Sequence, residues 1–200
     1  MPGFSMKYLN KKNLAILALV IIFTLSFFLD KSVLAFFQLI TNNFLNIIME
    51  FVSNIGSIFV VMIFITIVFM WETKRREYIS PLWLSFISAT VISFLLKAII
   101  ARPRPFFAEG IPLVSALGYS FPSAHVAVVF SVLPIINKEF PRFKWYWLIF
   151  SVVVALSRVY LQVHYLSDVI AGALLGYGIG YAFLILEKRR KPFKRIFEND

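Results

Sequence analysis

Six long apolar stretches, separated by short polar or basic connections, most limit what this chain can fold into. Hydrophobic residues make up 60% of its 200 residues and charged residues only 15%, whereas a soluble domain is about half apolar and about a quarter charged. About 20 apolar residues in a helix cross roughly 30 Å of hydrocarbon. Inside lipid every backbone polar group must be paired within its own segment or a closed barrel, and runs of this length select helices. The pattern predicts an all-α, membrane-integral six-helix bundle, a single domain over residues 1–200, with spans at about 14–29, 55–71, 80–100, 121–136, 145–161 and 169–186.

The segment between the first two spans behaves differently. In residues 32–54, Asn46, Glu50 and Ser53/Asn54 recur at helical spacing opposite Phe44, Leu45, Ile48, Phe51 and Val52. That amphipathic pattern predicts helix lying along the outer interface; the alternative is a polar-lined span inside the bundle. Asp30 and Lys31 mark the far side of the first span. A signal peptide competes with a retained first span, but no small-x-small cleavage site follows. Pro81 suits the first turn of a helix, and Pro134 is expected to kink or end the fourth span. Gly172, Gly176 and Gly180 recur every four residues in the sixth span, as close helix packing requires.

The net charge of +10 is placed unevenly. Six spans put both termini on one side, together with the loops at 74–76 and 138–144 and the basic tail. That side carries fifteen of the twenty Lys and Arg residues. The positive-inside rule then makes the termini cytoplasmic in a multi-pass cell membrane protein. In a chain this apolar, basic loops facing an anionic leaflet account for the charge better than nucleic acid does. The other five cations fall on the opposite, periplasmic or exterior side, and four of them, Lys97, Arg102, Arg104 and Arg158, lie in or beside the candidate site. There is no cysteine, which excludes disulfides, thiolate metal sites and a Cys nucleophile.

Three clusters meet on that outer side: Lys97 with Arg102-Pro103-Arg104-Pro105, Pro122-Ser123-Ala124-His125, and Ser157-Arg158 through His164 to Asp168. Cations cradle an anion, and arginine grips phosphate oxygens bidentately. The start of the fourth helix adds free N–H groups and a positive dipole end, with the Ser123 hydroxyl as a further donor. Asp168 lies four residues after His164, so on a helix the two share a face and the carboxylate fixes the imidazole tautomer. His164 can then attack phosphorus, and His125 can protonate the departing oxygen and later activate water. A metal site is the rival for two His and an Asp. It lacks enough ligands, and the surrounding cations repel a divalent ion, so no metal and no cofactor are expected.

The pattern Lys97-x6-Arg104-Pro105, Pro122-Ser123-Ala124-His125 and Ser157-Arg158-x5-His164-x3-Asp168 resembles the three-part motif of the type 2 phosphatidic acid phosphatase superfamily. The resemblance implies a six-helix membrane enzyme that removes phosphate from lipid phosphates or pyrophosphates without metal. It implies phosphate binding by Lys97, Arg104 and Arg158 with Ser123 assisting, His125 as acid, His164 as nucleophile and Asp168 as its orienter. Ala124 stands where the family usually has glycine. Arg102 duplicates the Arg-Pro signature and is left as a rim contact to phosphate. The implied partner is a lipid phosphate within the bilayer; oligomeric state is not legible. A lipid phosphotransferase using the same histidines, and a headgroup-binding transporter or scaffold without turnover, stand as alternatives. For substrate, undecaprenyl pyrophosphate, lipid A 1-phosphate, phosphatidylglycerol phosphate and phosphatidic acid all fit, with specificity expected from the outer amphipathic segment and residues 106–119.

Overall fold

The computed structural model describes residues 10–71, 73–105 and 118–190. Among these the structure is all-helical: α1 (Lys11–Ile40), α2 (Asn43–Ser53), α3 (Ile55–Trp71), a 3-10 turn (Thr73–Tyr78), α4 (Ile79–Ile100), α5 (Ala124–Glu139), α6 (Lys144–Tyr160) and α7 (Leu166–Arg190). Three helical segments are long and apolar enough to cross a membrane, Asn13–Ile40, Arg76–Ile100 and Leu166–Arg189. A fourth appears if Asn43–Ser53 and Ile58–Trp71, bent by 44° at their junction, count as one broken span. The expected count of six is therefore not confirmed: α3, α5 and α6, at 17, 16 and 17 residues, are each short for a span by themselves.

The first helix departs most from expectation. Asp30 and Lys31 do not end it; α1 runs on through both to Ile40, for 30 residues. At 1.5 Å per residue that is about 45 Å, longer than the hydrocarbon core. The amphipathic segment shrinks from 32–54 to α2 alone. The N-cap Asn42 accepts the Leu45 N–H at 2.9 Å, which satisfies one of the free donors of the first turn of α2. The α1–α2 joint leans on the far end of α6, where the Tyr160 hydroxyl accepts the Asn42 N–H at 3.1 Å. Pro134 likewise does not end its helix; α5 carries it and continues to Glu139. Pro81 falls in the first turn of α4, as expected.

Helix α5 is the centre of the bundle, and α4, α6 and α7 pack around it. Val126, Ala127, Val129, Val132 and Ile135 are all fully buried. Its closest neighbour is α7, and the glycine stripe makes that approach possible. A Cβ on Gly176 would lie 2.0 Å from the Ala127 carbonyl oxygen, one on Gly180 1.9 Å from that of Ser131, and one on Gly172 2.5 Å from that of Ser123. Along α1 and one side of α3 many large apolar side chains are instead exposed, among them Leu14, Val20, Phe28, Val60 and Phe64, while Ile58, Met62 and Phe69 of α3 are buried in the core. Such a surface suits contact with lipid.

The connections that carry the motifs are stitched to one another. The α4 C-cap, Ala101, turns the chain through a left-handed conformation (φ 49°), which an alanine adopts at a cost of about 1 kcal/mol relative to glycine. Ala101→Gly is expected to raise stability by up to about 1 kcal/mol, read as a higher midpoint of thermal unfolding in detergent.

Candidate active site

Each motif reaches the site from a different helix. Lys97 is in the last turn of α4 and is 3% exposed; its ammonium donates to the Tyr119 carbonyl at 2.5 Å and the Ser120 carbonyl at 3.2 Å. The Ser120 N–H in turn donates to the Arg102 carbonyl at 2.8 Å. The two stretches on either side of residues 106–117 are thereby held together. Arg104 donates from Nε to the Gly118 carbonyl at 3.1 Å. Ser123 is the N-cap residue of α5, and its N–H donates to the Asp168 carbonyl at 3.0 Å. That bond ties the start of α5 to the start of α7.

Arg158 ends α6. Its Nη1 donates to Ser53 Oγ of α2 at 2.9 Å, and its carbonyl accepts the His164 N–H at 3.2 Å. His164 is not on α7, as a shared helical face with Asp168 would require. It lies in the turn before that helix, 2% exposed, and Asp168 sits in the first turn of α7. His164 Nδ1 lies 3.5 Å from Asp168 Oδ2, too long for a good hydrogen bond but aimed as an orienting pair. Asp168 Oδ2 also accepts the Tyr165 N–H at 2.9 Å. His125, in the first turn of α5, lines a cavity of about 530 Å³ with Glu50, Ser53, Asn54, Phe94, Arg158 and Leu161. The two histidines lie close enough to interact electrostatically, and both feel Lys97 and Arg158.

Two features define what such an arrangement binds. Lys97, Arg104 and Arg158 are held within mutual repulsion, which is unfavourable unless an anion shares the space. Among the described residues, four buried side-chain polar atoms lack a hydrogen-bond partner, and three of them are Ser123 Oγ, Arg158 Nε and His164 Nδ1. Orphaned buried polar atoms cost about 1–3 kcal/mol each, so their concentration here marks a place built for a ligand rather than for stability. Burial pushes the His164 imidazole down to about 4, against the opposing pull of Asp168. It is therefore uncharged near neutral pH, with a lone pair.

Arg102 takes a different place from the rim contact expected of it. Its Nη1 donates to Asp168 Oδ1 at 2.6 Å and to Ser167 Oγ at 2.7 Å, and its Nη2 to Asp30 Oδ2 at 2.7 Å. Its guanidinium also lies over the Tyr165 ring, 4.0 Å from the centroid. Sequence reasoning passed over Asp30, Ser53 and Glu50. The available signal for Asp30 was a carboxylate interrupting an apolar run, since charge at membrane depth is costly. The expected specificity segment 106–119 lies, for residues 106–117, outside the described residues.

Neutral imidazole, buried cations and unpartnered donors meet on converging helix ends, a set whose charge suits an anion. The chain belongs to the PAP2 superfamily, whose sequence profile matches residues 78–192. It is 34% identical to the undecaprenyl-diphosphatase of Sulfolobus acidocaldarius over 76% of this chain and 75% of that protein. It is 28% identical to phosphatidylglycerophosphatase B of Bacillus subtilis over 83% and 87%. Its fold is similar to the crystal structure of the PAP2-type phosphatidylglycerolphosphate phosphatase of Bacillus subtilis, with a TM-score of 0.66 at 22% identity, covering 88% of this chain and 98% of that one.

Proposed function

We propose that this PAP2 protein is an integral membrane phosphatase that removes phosphate from a lipid diphosphate, through a phosphohistidine at His164 and without metal. The observation that carries the reading is the set of unpartnered buried donors, Ser123 Oγ and Arg158 Nε, beside the buried His164. Lys97, Arg104 and Arg158 hold the transferring phosphoryl oxygens, with Ser123 and the start of α5 as further donors. His164 Nε2 attacks phosphorus while Asp168, behind Nδ1, stabilises the positive charge that develops on the ring. His125 gives its proton to the leaving oxygen, then takes one from the water that hydrolyses the phosphohistidine. Charge stabilisation and positioning supply most of the rate in such a step.

A diphosphate on a long isoprenoid is favoured over the other candidates because relatives in Sulfolobus acidocaldarius and Bacillus subtilis carry the name undecaprenyl-diphosphatase. The charge distribution supports a six-span domain in the cell membrane, with cytoplasmic termini and the site facing outward. The test is phosphate release by the purified protein from undecaprenyl diphosphate, phosphatidylglycerol phosphate, lipid A 1-phosphate and phosphatidic acid, with and without EDTA. The highest kcat/KM is expected on the diphosphate and unchanged by chelation. Release from none of the four, with tight binding of any, would support a headgroup-binding protein instead. Added alcohol-bearing lipid separates hydrolase from phosphotransferase, and label should pass to water.

The buried His164 also sets a pH dependence. Its folded-state value of about 4 lies below the ordinary 6.5, so the nucleophile stays deprotonated as pH falls through the usual histidine range. The acid limb of kcat/KM due to this group is expected near pH 4. An acid limb at the ordinary histidine value, shown to follow His164, would contradict the burial argument. The same shift stabilises the fold above pH 6.5, and that contribution is lost as pH falls toward 4.

A further inference from the structure

Asp30 belongs to α1, outside residues 78–192 that carry the family profile, yet it is 3% exposed and fully bonded into the site. Its Oδ1 accepts the Ser167 N–H at 2.8 Å, at the free N-terminus of α7. Its Oδ2 accepts the Ser167 hydroxyl at 2.6 Å and Arg102 Nη2 at 2.7 Å. Arg102 spends its other terminal nitrogen on Asp168 Oδ1, 2.6 Å away. One guanidinium therefore bridges two carboxylates, and one of the two stands behind His164.

The charge count explains why two are needed. Arg102 and Asp168 alone form a neutral pair, which gives little support to a histidine that becomes cationic on attacking phosphorus. With Asp30 added, the cluster carries one net negative charge, and the guanidinium is shared rather than given wholly to Asp168. The groups facing His164 from other helices are Lys97 on α4, Arg158 on α6 and His125 on α5. The cations among them oppose a cationic ring, which raises the value of a residual negative charge behind it.

We propose that Asp30 is a positioning residue of this site, acting through Arg102 to orient the Asp168 carboxylate and keep a net negative charge behind His164. The inference rests on the reading of His164 as nucleophile. The first membrane helix then contributes to catalysis rather than only anchoring the chain.

The experiment compares Asp30→Asn, Asp30→Glu and His164→Ala, purified in detergent and normalised to monodisperse folded protein. Asp30→Asn keeps an acceptor for Ser167 but removes the charge. Its kcat should fall about tenfold, as for partners lying behind a catalytic ligand, with KM within about twofold. Its acid limb of kcat/KM should move to lower pH, because the ring loses support for its protonated form. Asp30→Glu should restore most of kcat and the wild-type limb. Folded Asp30→Asn with wild-type kcat and pH profile would overturn the proposal and leave Asp30 a purely structural cap. If Asp30→Asn yields no folded protein, Arg102→Lys carries the test, since an ammonium cannot bridge two carboxylates as a planar fork does. It should lower kcat at constant KM, whereas wild-type kcat, or a raised KM alone as for a phosphate contact, overturns the bridge. His164→Ala separates the two readings. If it retains phosphate release, the nucleophile reading fails. If it is inactive while Asp30→Asn is unaffected, only the role of Asp30 fails.

Discussion

Phosphate release by His164→Ala is expected to fall at least about 10⁴-fold, because loss of a covalent nucleophile removes the reaction path and not only an interaction along it. Substrate binding should persist, since Lys97, Arg104 and Arg158 come from α4, the connection after it and α6, and none depends on the imidazole. The two effects separate in one preparation. Bound lipid phosphate is retained within a few-fold in Kd, while rapid quench shows no acid-labile, base-stable phosphoenzyme. The wild-type protein should show that species, and His125→Ala should slow both its formation and its hydrolysis. Phosphate release at the wild-type rate by His164→Ala would sink the mechanism. The arrangement makes that outcome difficult to reach by substitution, because the other histidine is on α5, and Asp168 stands against His164.

The second large effect is structural. Gly176→Val is expected to prevent α5 and α7 from closing, because even a Cβ at that position would lie 2.0 Å from the Ala127 carbonyl oxygen and 2.9 Å from its Cα. Those are backbone atoms of the central helix and cannot rotate away. Overpacking of a core costs about 1–3 kcal/mol when side chains can adjust, and here the helices themselves must separate. Separation also pulls Asp168 from the Ser123 N–H, the bond that ties the two histidine-bearing regions together. The protein should elute as aggregate or lose its thermal transition. Gly178→Ala is the internal control, since a Cβ there meets nothing within 4 Å. It should be neutral or gain up to about 1 kcal/mol from helix propensity. Equal behaviour of the two substitutions would show that the close approach does not govern stability.

Much of the helical layout was legible because lipid imposes a simple rule. An apolar run in lipid must be helical, so the runs at 55–71, 80–100 and 145–161 agree as helices to within a residue or so with α3, α4 and α6, and of these α4 alone is long enough to cross by itself. The motif residues were legible because chemistry needs those types in one place. His125, Arg158 and Ser53 of α2 do meet around one cavity or bond, and His164 is bonded to the Arg158 carbonyl. The end of the first helix was misread for the same reason that made the rest readable. A carboxylate and a lysine in an apolar run are taken as its boundary, since unpaired charge at that depth is costly. Asp30 escapes the rule because its partners, Arg102 and Ser167, are 72 and 137 residues away. Pro134, expected to kink or end its helix, does not end it, and α5 passes through it to Glu139.

The sequence by itself determined a helical membrane protein, the motif residues proposed to handle phosphate and the glycine stripe that joins two of its helices. These are local properties: hydropathy over about 20 positions, residue type and a four-residue period. Only the tertiary structure decided that His164 lies in a turn and not on a helix. Only it showed that Arg102 bonds to two carboxylates, and that a helix outside the family profile supplies one of them. Those outcomes depend on which groups meet across the bundle. A buried charge is stable only where its partners arrive, and no stretch of chain carries that information alone.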